Sequence, residues 1–180
     1  MSPDIPAWQL IDVANEGLPE HVDAALDSFD SITGCVVLLV APEIDRRWGA
    51  DVSLLVARGW AAKGRSVLLA DASLEDPVLH ESVDGTNNEG VSDVMLYGAS
   101  VKRVARSVGG RVLFAPAGTP VGDAAEVLAH PKWDTVISGF QEAGAVLLLH
   151  LSAATTGARA LLDQAAGVIV VAEASGDVSS

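Results

Sequence analysis

Short runs of apolar residues recur along the chain and alternate with segments in which apolar residues return every three or four positions. The runs lie within residues 36–40, 67–69, 111–115, 145–149 and 168–171. Each run is too short for an ordinary helix and too continuous for a strand with one wet face, which is typical of strands buried on both faces. Because helical segments separate them, the pattern predicts an α/β fold with a doubly wound, mainly parallel sheet and helices on both faces.

The clearest strand, helix, strand unit spans residues 35–71. Its helix is predicted over residues 49–63, and its second strand ends in Asp71. Four apolar residues give this helix its periodic face: Val52, Leu55, Val56 and Trp60. In open α/β sheets the ligand lies at the carboxyl ends of the strands. The predicted site is therefore formed by residues 41–48 and by the loop after Asp71.

The chain is predicted to have one domain between two shorter segments. Residues 1–31 predict an acidic, helical N-terminal leader that packs on the sheet edge or on a partner, residues 32–175 a single domain, and residues 176–180 a disordered tail. The helices expected within the domain include residues 77–83, 92–96, 100–107 and 121–129, and a helix capped by Thr155 or Thr156.

Charge and cysteine content narrow the classes of partner and compartment. The chain has 24 Asp and Glu against 11 Lys and Arg, a net charge of −13, which argues against nonspecific binding of nucleic acid or of an anionic membrane and favours neutral or basic partners. The single cysteine, Cys35, excludes an internal disulfide and suggests a reducing compartment. The chain shows neither a signal peptide nor an apolar run of about 20 residues, so a cytoplasmic protein without membrane insertion is expected.

Four segments carry a resemblance to a known family. They are AAKGRSVLLADASLEDPVLH, EGVSDVMLYGAS, VLFAPAGTPVGDAAEVLAHPKWDTVI and AGAVLLLHLSA, in this order and spacing. The chain resembles the deviant P-loop ATPases of the MinD/ParA type, and among them the cytoplasmic domain of bacterial tyrosine kinases that act with polysaccharide chain-length regulators. The resemblance implies a P-loop NTPase-like fold, whereas function must be argued from the site.

The segment that matches the family's phosphate-binding loop lacks the residues that bind phosphate. Such a loop needs glycines whose neighbouring N–H groups approach the phosphates, a Lys for the β and γ phosphates, and a Ser or Thr hydroxyl for Mg²⁺. The resemblance places this loop on residues 44–51, which are IDRRWGAD. Gly49 stands at the position of the family's Lys, and Ala50 and Asp51 replace the hydroxyl pair. The family's Walker motif is therefore degenerate in this chain.

The acids that surround Mg²⁺ in the family are also altered. Asp71 matches the first acid after the second strand, but Ser73 stands where a second acid is implied. His150 follows the strand over residues 145–149, where the resemblance implies an aspartate. A neutral imidazole does not replace a carboxylate around Mg²⁺, which prefers oxygen ligands. The sequence leaves three roles open for His150: a softer metal ligand, a base, or a hydrogen-bond partner of neighbouring loops. For Asp71 it leaves open a role as a capping or orienting residue. No metal site or cofactor is predicted.

These losses favour a non-catalytic pseudo-ATPase that serves as a protein-binding, assembly or regulatory module, with a protein partner or a second copy of the chain. One alternative is an enzyme or switch that still binds a nucleotide or phosphorylated ligand at the vestigial loop; another is a regulator that pairs with an active paralogue. The candidate ligand contacts are Arg46, Arg47, Gly49 and Asp71. The candidate partner contacts are Trp48 and His150, and Trp48 either is exposed or fills the vacated phosphate pocket.

Overall fold

A computed structural model of the chain describes residues 7–12, 18–83 and 85–173, and within them seven strands form one sheet. The strands are β1 (Ala7–Asp12), β2 (Gly34–Val40), β3 (Val67–Asp71), β4 (Arg106–Ser107), β5 (Val112–Ala115), β6 (Val146–Ser152) and β7 (Gly167–Ala172). Their spatial order is β1, β7, β2, β6, β3, β5, β4. All neighbouring strands run parallel except β4 and β5. The predicted mainly parallel sheet is confirmed.

Helices cover both faces of the sheet. They are α1 (Leu18–Ser28), α2 (Arg46–Ala62), α3 (Leu79–Ser82), α4 (Val91–Leu96), α5 (Val101–Val104), α6 (Ala124–Leu128), α7 (Lys132–Glu142) and α8 (Ala158–Leu162). Helices α1, α2 and α3 pack on the face that carries Val36 and Leu148, and α4 to α8 on the face that carries Val37 and Leu149. Because successive residues of a strand point to opposite faces, each central strand contributes to both layers. The doubly wound arrangement is therefore also confirmed.

One buried tryptophan stabilises each layer. Trp60 of α2 is fully buried, and its indole N–H donates to the carbonyl of Leu26 at 3.4 Å. Trp133 of α7 is 2% exposed, and its indole donates to the carbonyl of Val127 at 3.0 Å. Large aromatic side chains contribute most when the ring is buried and its polar atom has a partner, as both rings do here. The two indoles thus connect α2 to α1 and α7 to α6 within their layers.

Strands β1 and β4 were not predicted. β1 lies within the predicted helical leader and pairs in parallel with β7, from Ala7 opposite Gly167 to Asp12 opposite Ala172. The leader's helix corresponds to α1, which packs against β1 and α2. Residues 1–6 and 13–17 of the leader, and the predicted tail over residues 176–180, lie outside the described residues.

Four helices have bounds that differ from the predicted ones. The helix predicted over residues 100–107 stops at Val104, and Arg106–Ser107 pairs antiparallel with β5 instead. Neither Thr155 nor Thr156 caps α8, because Gly157, with φ of 84°, precedes its first residue. The other two corrections concern the starts of α6, at Ala124, and of α2, at Arg46.

The exposed side of α2 also departs from the predicted pattern. Leu55, assigned to the apolar face, is 47% exposed, whereas Leu54 and Ala57 beside it are buried.

Within the described ranges, no helix combines the length and apolar character needed to cross a membrane.

Candidate functional site

A cavity of about 220 Å³ lies at the carboxyl ends of β2 and β6, next to the first turn of α2 and the loop that follows β3. Its lining residues are Val40, Ala41, Pro42, Ile44, Arg46, Ser73, Asp76, Val78, His150, Ser152 and Ala154. The cavity lies where the sequence places the ligand site, because the carboxyl ends of parallel strands meet at one edge. More than half of its lining is apolar, and Arg46 is the single Lys or Arg among these residues.

Gly49 is explained by packing between α2 and β2. It is buried in the first turns of the helix, and a Cβ placed there would lie 2.8 Å from Cγ1 of Val40. This contact is too short for a side chain to occupy without a shift of Val40 or of α2. The glycine therefore permits the helix to approach the sheet.

Helix α2 begins at Arg46 because Asp45 caps it. The Asp45 carboxylate accepts a hydrogen bond from the N–H of Trp48 at 3.0 Å, which satisfies one of the free donors at the helix start. A carboxylate at this end also interacts favourably with the helix dipole. The first turn of α2, whose free N–H groups bind phosphate in a phosphate-binding loop, thus already carries a negative group.

Arg46 is held by groups of the loop after β3 and of α3. Its guanidinium donates to both carboxylate oxygens of Asp76, each at 3.0 Å, to Glu81 at 3.3 Å and to the carbonyl of Pro77 at 2.8 Å. Bidentate pairing of this kind fixes the orientation of an arginine fork. Arg46 is thus the residue that joins α2 to this loop beside the cavity, and its charge is matched by two carboxylates.

Arg47 does not join Arg46 at the cavity. Its side chain lies on the outer surface of α2, 3.9 Å from the carboxylate of Asp51 one turn later. Asp51 also accepts a hydrogen bond from the hydroxyl of Ser82 at 3.0 Å. The two arginines that the sequence suggested as a joint phosphate contact therefore have separate partners and separate positions.

Asp71 is a fully buried carboxylate that organises the loop after β3. It accepts hydrogen bonds from the N–H groups of Ser73 at 2.9 Å, Val78 at 2.9 Å and Leu79 at 3.1 Å. Burial raises the pKa of Asp71 to about 6, and the three hydrogen bonds oppose this rise. The geometry matches the capping and orienting role that the sequence left open for Asp71.

His150 is an inward-facing residue of β6. It is 3% exposed and lines the cavity, and its Nδ1 lies 2.6 Å from the hydroxyl oxygen of Ser53 on α2. Burial lowers the pKa of His150 to about 4, so the ring is neutral near pH 7. A surface contact with a partner through His150 is not compatible with this burial. Among the described residues, no three His, Cys, Asp or Glu side chains form a metal-binding group.

Trp48 is partly exposed. It lies in the first turn of α2 with 39% of its surface accessible, and it is not among the residues that line the cavity. Ile44, only 8% exposed, lines the cavity instead. Of the two arrangements that the sequence left open, the structure shows the exposed one.

Three residues of the site were not identified from the sequence. Asp76 and Glu81 pair with Arg46 from 30 and 35 positions away, a distance over which a sequence pattern carries no signal. Ser53 was detectable, because it is a polar residue on the apolar side of a predicted helix, between Val52 and Leu54. Such a residue needs a buried hydrogen-bond partner, and His150 supplies it.

The comparisons with known proteins bear on the fold. No family model and no curated protein matches the chain. The chimerical protein CapA2B2 is similar, with a TM-score of 0.73 over 98% of this chain and 84% of that one, at 15% identity. So is the kinase domain of the Escherichia coli tyrosine kinase ETK, with a TM-score of 0.69 over 94% and 81%, at 15% identity. The kinase domain of VpsO gives 0.66 over 88% and 75%, at 17% identity.

The chain has the fold of bacterial tyrosine kinase domains. This finding confirms the predicted P-loop NTPase-like fold class. It also confirms that the resemblance to bacterial tyrosine kinase domains holds at the level of the fold. At these identities the likeness concerns the fold alone, and the chemistry of the site rests on the residues described above.

Proposed function

We propose that this chain is a non-catalytic pseudo-ATPase that serves as a protein-binding or assembly module. The observation that carries the proposal is the pairing of Arg46, the single Lys or Arg that lines the cavity, with Asp76 and Glu81. A triphosphate needs positive charge and free N–H donors at this place. To bind one, Arg46 would have to leave two carboxylates, which would then repel the phosphates.

The environment of the Mg²⁺ position supports the same proposal. In this chain β6 carries His150, whose neutral imidazole is bonded to Ser53, and the oxygens of Asp71 are occupied by three backbone N–H groups. His150 has no carboxylate oxygen to offer a hard divalent cation, and the oxygens of Asp71 are fully buried and already accept three hydrogen bonds. The proposal includes a cytoplasmic location and a protein partner or a second copy of the chain.

A narrower form of the proposal is that the partner is an active protein of the same fold. This form rests on the likeness in fold to the kinase domains of ETK and VpsO. The competing function is binding of a nucleotide or phosphorylated ligand through Arg46, Arg47, Gly49 and Asp71. The present partners of these residues weigh against it.

The test is titration of the full chain with ATP and with ADP, with and without Mg²⁺. Intrinsic tryptophan fluorescence is a suitable readout because Trp48 lies in the first turn of α2, and calorimetry provides a second readout. We expect no saturable change up to about 1 mM nucleotide. Saturable binding at micromolar nucleotide that disappears in the Arg46→Ala, Arg47→Ala double variant would overturn the proposal. Arg159→Ala, on α8, is the matched control.

A further inference from the structure

A groove of about 370 Å³ lies where β3, β5 and β6 begin. These are the amino ends of the strands, whereas the cavity lies at the carboxyl ends. The apolar surface of the groove includes Val101, Leu113 and Phe140. Leu113 is 45% exposed, whereas Ala115, on the same face of β5, is 2% exposed. Helix α5 ends at Val104, and the chain then continues into β4, which pairs with β5.

Three cations border this apolar surface: Arg65, Lys102 and Arg111. In the described part of the chain, no carboxylate lies within ion-pair distance of Lys102 or Arg111. The guanidinium of Arg65 donates to the carbonyls of Phe29 and Ile32. These contacts orient Arg65 without neutralising its charge.

Positive charge is concentrated near the groove, although the protein as a whole is acidic. Five of the other eight Lys and Arg side chains pair with carboxylates: Arg46, Arg47, Lys63, Arg103 and Arg159. The remaining three, Arg58, Arg106 and Lys132, form no ion pair with a carboxylate of the described residues. Residues 101–111 carry four of the eleven Lys and Arg of the chain and no Asp or Glu, although the protein has a net charge of −13. In the groove, positive charge without an ion-pair partner in the described residues lies beside the exposed side chain of Leu113. It is typical of a surface that binds an anionic group with an apolar part.

We propose that this groove binds an acidic peptide segment of a partner protein. Apolar side chains of the segment lie on Leu113 and Phe140, and its carboxylates pair with Lys102 and Arg111. The volume is in the range of sites that enclose a few side chains. A long polyanion or an anionic membrane is disfavoured, because it would extend beyond the groove onto an acidic surface that repels it. The groove would bind such a segment whether or not the cavity binds a nucleotide, so the two proposals fail separately.

The experiment uses a fluorescein-labelled peptide of about twelve residues in which Glu alternates with Leu and Phe. Fluorescence anisotropy follows its binding to the full chain, and we expect a Kd in the micromolar range. The Lys102→Glu, Arg111→Glu double variant should weaken binding at least about tenfold, and Leu113→Ser several-fold. The matched control is Arg58→Glu, Arg159→Glu, which changes the net charge equally on exposed positions of α2 and α8 and should leave the Kd within about twofold.

Four outcomes of the peptide-binding experiment would overturn the proposal. The first is that the peptide does not bind the unmodified chain, and the second is that a peptide with Gln in place of Glu binds equally well. The third is that the control variant loses as much binding as the Lys102→Glu, Arg111→Glu variant. The fourth is that phosphatidylserine vesicles or single-stranded DNA compete more strongly than unlabelled peptide. Analytical sedimentation of the chain alone tests whether a second copy of the chain occupies the groove. Self-association that the Lys102→Glu, Arg111→Glu variant abolishes would assign the groove to a second copy instead. Urea unfolding of each variant establishes that it is folded.

Discussion

Asp71 and His150 lie opposite each other on the neighbouring strands β3 and β6, and burial changes their pKa values in opposite directions. The pKa of Asp71 rises from 3.8 to about 6, and that of His150 falls from 6.5 to about 4. Between about pH 4 and 6 the folded protein therefore holds one proton on Asp71, while the unfolded chain holds one on His150. The two states bind equal numbers of protons at these positions, so the contributions of the pair to the pH dependence of stability cancel.

Removal of either residue should expose the contribution of the other. In Asp71→Asn only His150 remains, and the unfolded state binds the extra proton, so stability should rise with pH between about 4 and 6.5 relative to the unmodified protein. In His150→Gln the folded state binds the extra proton through Asp71, so stability should fall as pH rises from about 4 to 6. Each slope should approach about 1.4 kcal/mol per pH unit, measured by urea unfolding at several pH values. Slopes of the same sign in both variants would contradict the assignment.

At the scale of elements, α2 begins where Asp45 caps it, and this cap gives the second prediction. Asp45→Ala should lower the free energy of unfolding by about 1 kcal/mol, because the Trp48 N–H loses its acceptor. Asp45→Asn keeps an acceptor oxygen and should retain most of this stability. If Asn costs as much as Ala in urea unfolding, the effect is one of charge and not of the hydrogen bond.

The start of α4 is held against the turn that follows β5, and this contact requires a glycine. A Cβ at Gly90 would lie 1.9 Å from the carbonyl oxygen of Pro116, a backbone atom that has no alternative rotamer. Gly90→Ala should therefore lower the free energy of unfolding by about 3 kcal/mol or more. Gly122→Ala is the control: a Cβ there meets no atom within 4 Å, and the change should stay within about 0.5 kcal/mol. Equal effects on the urea midpoint would show that the turn yields readily.

A strand or helix could be predicted where its own sequence determines it, and could not be predicted where pairing with a distant strand determines it. Continuous apolar runs identified β2, β3, β6 and β7, because a strand buried on both faces needs such a run. β1 has a mixed sequence and is a strand through its pairing with β7, some 160 residues later. The helical pattern beyond Val104 was overridden by pairing with β5. At the candidate site, the topology predicted the end of the sheet at which the cavity lies, whereas the pairing of Arg46 with Asp76 depends on contacts between distant residues.

At the scale of the whole molecule, the fold brings most of its negative charge to the surface. The ion pairs between Lys or Arg and Asp or Glu in the described residues involve side chains that are 41% to 84% exposed. Exposed pairs of this kind contribute little to stability, because water and salt screen the attraction. Against them stands the mutual repulsion of a surface with 24 acids and 11 bases. Repulsion among so many like charges acts on the compact state more strongly than on the expanded unfolded chain.

Salt should therefore stabilise this protein. Raising NaCl from about 10 mM to 150 mM shortens the screening length from about 30 Å to 8 Å, which weakens long-range repulsion more than the short ion pairs. We expect the free energy of unfolding, measured in urea, to rise by about 1 kcal/mol while the dependence on urea stays constant. A fall would mean that the ion pairs outweigh the net charge. The Arg46→Gln variant separates these contributions, because it loses the pairs with Asp76 and Glu81 and should gain more from salt than the unmodified chain.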